Sequence, residues 1–286
     1  MQAPGHNAAS HPGLASFLAA VADPQRMAIP ADDLAVIVAH PDDETIGCGA
    51  LLSRLRNARI VMVTDGAPRD MADAYAYGFE TAEAYAAARL RELRAALAIA
   101  GVPVNAIIRL DFPDQQAAFQ LIALTEHLHA LIAAGKVRRV LTHAYEGGHP
   151  DHDAIAFATH AAAALSVRDG HAVSVLEMPL YRSGRHGMLR QQFAALSGRR
   201  EITIRLNRRE QTVKRRMVAA YETQQRTLAP FSCEIERFRE APIYDFNALP
   251  NAGRLLYEDY PWGMTGQRWS ALARTALGGL GLQAAA

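Results

Sequence analysis

The sequence predicts an α/β fold, a Rossmann-like three-layer sandwich with a mostly parallel central sheet. Two observations carry that expectation. Compact, β-branched apolar runs alternate with helix-length stretches from residue 34 to about residue 178, which is the pattern of strand–crossover–strand units. Each of the first four runs is also followed by a polar segment containing carboxylates, at the strand ends where open parallel sheets gather their ligands.

Taken in order, the strand-like runs are "LAVIVA" (34–39), "RIVMVT" (59–64), "AIIRL" (106–110), "RRVLTH" (138–143) and "VSVLEM" (173–178). Between them lie the helical patterns "TIGCGALLSRLRN", "AAARLRELRAALAIAG", "QQAAFQLIALTEHLHALIAAG" and "DAIAFATHAAAALS". Gly101 and Gly135 are read as helix stops. Beyond residue 200, "EITIRL" reads as an edge strand and "RREQTVKRRMVAAYETQQRTL" as one long helix. Residues 1–30 form an N-terminal leader with a short helix, "LASFLAAVA". Residues 31–286 form a single domain with a C-terminal extension from about 200.

Half of the 286 residues are apolar and 21% are charged, which fits a globular chain and excludes disorder. With 30 basic and 29 acidic residues the net charge is +1, so no polyanionic partner is implied. The basic runs "NRRE" and "KRRM" are assigned to a solvated helix face, and no nucleic-acid signature accompanies them. Two cysteines, Cys48 and Cys233, favour a reducing cytoplasm over a disulfide framework. No apolar run is read as reaching the roughly 18–20 residues of a membrane span, and the N-terminus lacks the pattern of a signal peptide.

The stretch "VIVAHPDDETIGCG" (36–49) ends a strand on one histidine, one proline and three consecutive carboxylates. His40 and Asp43, three residues apart, can share one face where loop turns into helix, and imidazole with carboxylate suits zinc. Asp42 then points elsewhere and stays free to take a proton from a metal-activated water. The plainer reading is that these acids only cap a helix N-terminus; Glu44 fits it. A second motif, "GGHPDHD" (147–153), repeats the spacing in His149 and His152. One of these two completes an open three-ligand set with His40 and Asp43; the other remains a proton donor or electrophile that Asp151 can orient. Spacing alone leaves open which is which.

"AHPDDETIGCG" with "GGHPDHDA" resembles the PIG-L/LmbE-like family of zinc-dependent N-deacetylases. The similarity runs from about residue 34 to at least 180 and includes "VTDG", "RLRELRAALAIAGV" and "DFPDQ". It departs from the family at Ala100-Gly101, where a Leu-Gly pair is customary. The resemblance implies His40, Asp43 and His152 as ligands of Zn2+ (iron, manganese or cobalt being alternatives) and Asp42 as general base. It implies protonated His149 as oxyanion stabiliser and proton donor, with Asp151 as its partner. The implied substrate is a small-molecule N-acetylated sugar or glycoconjugate; the alternative is a metal-dependent hydratase acting on an unsaturated carboxylic acid.

Arg69 and Asp114 lie in loops at the same sheet edge and are candidate substrate contacts, against the plainer readings of a surface charge and a turn residue. His143 and Glu146 are expected near the site. The tail aromatics Tyr257, Tyr260, Trp262 and Trp269 are expected to pack against the core, with stacking on a sugar face or capping of the pocket as the alternative. A nucleotide-binding module is discounted, because "TIGCGA" lacks the G-x-G-x-x-G pattern and follows three carboxylates. The oligomeric state is left open, a homo-oligomer included.

Overall fold

One strand, buried on both faces, organises the molecule. Leu34, Val36 and Val38 point into one hydrophobic cluster, while Ala35, Ile37 and Ala39 point into another. That is the signature of a central parallel strand covered by helices on both sides. The structure, a computed structural model, describes residues 13–195 and 200–282. Residues 1–12 of the expected leader lie outside the described residues.

The strands are β1 (Ile29–Pro30), β2 (Leu34–Val38), β3 (Leu55–Arg56), β4 (Arg59–Thr64), β5 (Ile107–Phe112), β6 (Arg139–His143) and β7 (Ser174–Met178). They continue with β8 (Tyr181–Gly184), β9 (Gly187–Arg190), β10 (Glu201–Arg205) and β11 (Ile235–Glu240). The helices are α1 (Leu14–Ala22), α2 (Asp43–Leu52), α3 (Ala72–Ala76), α4 (Ala82–Ile99) and α5 (Leu121–Gly135). After them come α6 (Pro150–Arg168), α7 (Arg208–Ala219), α8 (Gln225–Leu228) and α9 (Gly266–Gly279). The main sheet has the order β10-β11-β7-β6-β2-β4-β5. Its five consecutive members from β7 to β5 are parallel, and β11 and β10 add an antiparallel edge. Residues of α1, α2, α4 and α7 fill the cluster on one face, and residues of α5, α6 and α9 fill the other. The predicted α/β sandwich with a mostly parallel sheet is the observed fold.

Four local expectations need correction. The long helix expected after residue 207 stops at Ala219, because Tyr221 leaves helical geometry (φ −90°, ψ 72°) to bury its ring. Gly135 is still helical; the left-handed stop is Lys136, with φ 50°. The basic run of α7 is not wholly solvated, since Glu210, Lys214 and Met217 form a buried face at helical spacing. Finally, Ala117–Gly135 spans 19 residues with a mean hydropathy of 1.3, long and apolar enough to cross a membrane by those measures. Its Leu121, Leu124, Leu128 and Ile132 are spent on the core beside α6 and α9.

The short helix α2 carries the first histidine motif and lies unusually close to the sheet. A Cβ on Gly47 would sit 2.3 Å from the Met178 sulfur on β7, so any side chain there would have to displace Met178. The helix is broken at Cys48 (φ −146°, ψ 24°), which frees backbone groups that must find partners. Glu236 on β11 accepts the amides of Ala50 and Leu51 at 2.8 and 3.0 Å. Lys214 on α7 donates to the Ile46 carbonyl at 2.8 Å and to Glu236 at 2.9 Å. Both members of this ion pair are buried. Removing one partner of such a pair costs about 3–5 kcal/mol. Lys214→Met is therefore expected to lower the urea midpoint strongly, and a variant as stable as the parent would show that the pair does not support α2.

His160 on α6 sits edge-on to Tyr244 and Phe246, and its Nε2 has no hydrogen-bond partner among the described residues. Burial pushes its pKa down to about 4, from an ordinary 6.5. Between those values the unfolded chain binds a proton that the folded chain refuses, so stability is lost as pH falls through that window. Melting curves from pH 7 to 4 should show a shallower acid decline in His160→Phe than in the parent; an unchanged slope would remove His160 as the cause.

Candidate metal centre

The first motif begins where β2 runs out. The Ala39 amide donates to His143 Nε2 at 2.9 Å, and its carbonyl accepts from the Thr64 amide and hydroxyl, each at 2.9 Å. The end of the central strand is thus pinned by the last residue of β6 on one side and of β4 on the other. One residue on, the His40 amide donates to Asp43 Oδ2 at 2.7 Å, which holds the turn leading into α2.

The second motif is folded by its own polar groups. Asp153 Oδ1 accepts the amides of Glu146 and Gly147 at 3.2 and 3.0 Å, closing the loop ahead of α6. His149 is the N-cap of α6, and its Nδ1 accepts the Asp151 amide at 3.1 Å. A Cβ on Gly148 would lie 2.0 Å from the Tyr181 carbonyl, so glycine is required where β8 crosses this loop.

These two loops bring His40, Asp43 and His152 together. His40 Nδ1 is 3.3 Å from His152 Nε2 and 3.3 Å from Asp43 Oδ2; His152 Nε2 is 3.4 Å from Asp43 Oδ1. Ligands at roughly 2.0–2.1 Å from one tetrahedral ion lie about 3.3–3.4 Å from each other. The donor set of two imidazoles and a carboxylate suits a divalent metal in its chemistry, with the imidazoles facing different oxygens of Asp43; groupings close enough to share an ion also include Asp43, His143 and His152, and His40, His149 and His152. His143 stacks on His152 (4.3 Å between centroids, 6° between planes), and its Nε2 is engaged by the Ala39 amide. It orients the cluster from behind.

The other nitrogen of His40 faces two more carboxylates. His40 Nε2 is 3.1 Å from Asp114 Oδ1 and 3.4 Å from Asp151 Oδ2. Asp151, expected as the partner of His149, meets it through its backbone amide, while its carboxylate faces His40. The reason is local, because the Gln115 and Ala117 amides donate to Asp151 at 2.6 and 3.1 Å and turn it toward the loop after β5. A carboxylate on the far nitrogen of a ligating imidazole fixes its tautomer and raises its basicity. Asp114, expected to touch substrate, is buried against His40 instead. Burial alone would raise its pKa, but the charge and hydrogen bond of His40 bring it down to about 2. For His40 itself burial opposes protonation, yet Asp114, Asp151 and Asp43 hold its pKa well above the ordinary value.

His149 also differs from expectation. With Nδ1 accepting a backbone N–H, the ring cannot be doubly protonated without breaking that bond. Burial, with the charges of His40 and His152, pushes its pKa well below the usual value. It is a neutral imidazole whose Nε2–H is the available donor, 4.6 Å from the His40 ring between centroids.

Asp42 is the carboxylate left without a place in the cluster. Its backbone is strained (φ 132°), a conformation costing about 1–3 kcal/mol, and this turns its side chain away from Asp43. Asp42 Oδ2 accepts from Arg89 at 3.0 Å, and Arg89 also reaches the carbonyls of Pro41 at 2.5 Å and Gly66 at 3.0 Å. Burial raises the Asp42 pKa more than the Arg89 cation lowers it. Arg89 is not among the residues expected at the site. A signal was present: Tyr85, Ala88, Arg89, Leu93, Ala96 and Leu97 are the buried face of α4, and a cation in that stripe needs a buried partner.

Arg69 is 44% exposed at its side chain and is bound to Asp65 Oδ2 at 2.5 Å. Glu44 is no simple helix cap: it is buried and accepts the Tyr221 hydroxyl at 2.5 Å and the Asp42 amide at 3.1 Å. Glu146 Oε1 accepts the amides of Leu180 and Tyr181 at 2.8 and 3.1 Å, setting the Tyr181 ring 5.1 Å from His152. Cys48 and Cys233 are unpaired.

A parallel α/β sheet with a His/Asp cluster at its carboxyl edge defines the class of this chain. Residues 35–163, from β2 through most of α6, match the family model described as PIG-L: GlcNAc-PI de-N-acetylase. No curated protein matches it. Among solved structures, the A40926 pseudoaglycone deacetylase Dbv21 is 21% identical, with 73% of this chain and 96% of that one aligned at a TM-score of 0.55. A teicoplanin deacetylase in complex with teicoplanin is 17% identical, with coverage of 72% and 97% and a TM-score of 0.53. The zinc-inhibited form of teicoplanin deacetylase Orf2 is 16% identical, again with 72% and 97% aligned, at 0.52. These likenesses show a shared fold.

The position of Asp151 generates a test. If it acts through His40, Asp151→Asn should weaken divalent-metal binding by about 10–100-fold in a competitive chelator titration. Unchanged metal affinity with lost turnover would return Asp151 to His149.

Proposed function

We propose that the chain is a metal-dependent hydrolase that removes an N-acetyl or other N-acyl group from a small-molecule amino sugar or glycoconjugate. The observation that carries this reading is the convergence of the His40, Asp43 and His152 side chains, 3.3–3.4 Å from one another, beside a buried carboxylate that lies outside that set. A divalent ion held by His40, Asp43 and His152, zinc by preference, would supply the Lewis acid that polarises an amide carbonyl and acidifies water. The family description and the names of the structural relatives support an amide substrate on a sugar-bearing molecule.

In this reading Asp42 takes a proton from the attacking water as the new C–O bond forms. Arg89 holds the Asp42 side chain in place for that transfer. The neutral His149 donates its Nε2–H to the developing oxyanion. On collapse the C–N bond breaks and Asp42 returns its proton to the departing nitrogen, giving acetate and a free amine. A hydratase would need a free cation for its extra carboxylate, and the one singled out from the sequence, Arg69, is held by Asp65. Amide hydrolysis is therefore preferred.

Acetate release with appearance of a primary amine should follow addition of N-acetylglucosamine conjugates to metal-loaded protein, and chelation should abolish it. Asp42→Asn is expected to keep its metal and lose about 10²–10⁴-fold in kcat, whereas His152→Ala should lose the metal as well. Full turnover in Asp42→Asn would remove Asp42 as the base. Loss of enol absorbance from an unsaturated dicarboxylate, with no acetate from any sugar, would establish the hydratase instead.

A further inference from the structure

The four tail aromatics do not share one fate. Tyr257 and Trp269 are fully buried, and the Trp269 indole N–H donates to Tyr145 at 2.6 Å. Trp262, partly buried against the same core cluster, also lies beside the site, with its ring centroid 4.5 Å from that of His149. Tyr260 stacks on Trp262 at 4.4 Å with an 8° tilt and is 40% exposed. Among the described residues the ring neighbour of Tyr260 is Trp262 and not His149, so it stands one ring further out.

This wall is built, not draped. The Leu256 amide donates to the Gly147 carbonyl at 2.7 Å, tying the tail to the loop that carries His149. Glu258 accepts the Gly266 amide at 2.7 Å, and Arg268 donates to the Gly263 carbonyl at 2.7 Å, closing the segment on either side of the pair. A large aromatic surface left in water has an unfavourable free energy unless a ligand covers it. A fixed, flat, uncharged wall suits the apolar face of a sugar or aromatic ring.

We propose that Tyr260 and Trp262 form a second binding subsite, which stacks the ring adjoining the N-acylated sugar. The substrate is then an extended conjugate, at least two rings long, and not a free monosaccharide. This rests on the hydrolase reading for the role of His149, since the acylated sugar must occupy the space at His149 and leave Tyr260 to its neighbour. The spacing gives the reason: a ring whose amide reacts at His149 cannot also cover a side chain one stacking distance beyond Trp262.

The test compares N,N'-diacetylchitobiose with N-acetylglucosamine in acetate release and, separately, in quenching of tryptophan fluorescence. The parent should favour the two-ring substrate. Tyr260→Ala, at an exposed position, should raise KM for it roughly 3- to 10-fold with little change in kcat, and should narrow its advantage over the monosaccharide. Trp262→Phe should retain part of the preference and Trp262→Ala should lose it. Equal kcat/KM for one and two rings, or an unchanged preference in Tyr260→Ala, would overturn the subsite while leaving the hydrolase reading intact. Ring-dependent quenching that Tyr260→Ala abolishes, without acetate release from either compound, would uphold the subsite and sink the hydrolase reading.

Discussion

The structure depends on one imidazole being used from both sides. His40 stands at the end of the central strand, with Nδ1 turned to Asp43 and His152 and Nε2 to Asp114 and Asp151. Burying a ring among carboxylates is costly in a low-dielectric interior unless every partner is in place. His40 therefore makes the loops after β2, β5 and β6 interdependent. A displacement of the loop after β5 would loosen Asp151, then His40, then the donor set. The strand order, with β2 between β6 and β4, is what lets three strand ends reach one ring.

The first motif is also supported from residues far beyond it in the chain. The break in α2 at Cys48 exposes backbone groups that Glu236 and Lys214 satisfy, and Tyr221 holds Glu44 beneath Asp42. All three lie outside the segment 35–163 that matches the family. The segment after residue 200 is consequently part of the site's foundation. It adds β10 and β11 to the main sheet, and α7 and α9 to its two faces. The site itself has two characters: a floor crowded with carboxylates and imidazoles, and a wall of aromatic rings supplied by the tail.

Much of this was legible beforehand. The alternation of β-branched runs with helical stretches gave the parallel sheet, and the placement of polar segments after strands gave the edge at which chemistry gathers. The spacing in "HPDDE" and "HPDH" singled out the residues that now converge. Less legible were residues whose meaning lies in a partner distant in sequence. Arg89 reads as one of several arginines on a helix until its stripe is matched to Asp42, 47 residues away. Lys214 reads as a solvated charge until Glu236 is placed opposite it. Asp151 was assigned to the nearer histidine, when backbone amides from the loop after β5 turn it to the farther one.

By itself, then, the sequence determined which side chains could act, because residue type and short spacing constrain local geometry whatever surrounds them. Only the tertiary structure decided how they pair, which carboxylate is strained out of the cluster, and which nitrogen of His149 keeps its proton. The pairing is set by burial and by hydrogen bonds between segments distant in the chain, such as the 104 residues between Ala39 and His143, a meeting no local pattern encodes; the His149 proton follows the Asp151 amide two residues on, once α6 is in place.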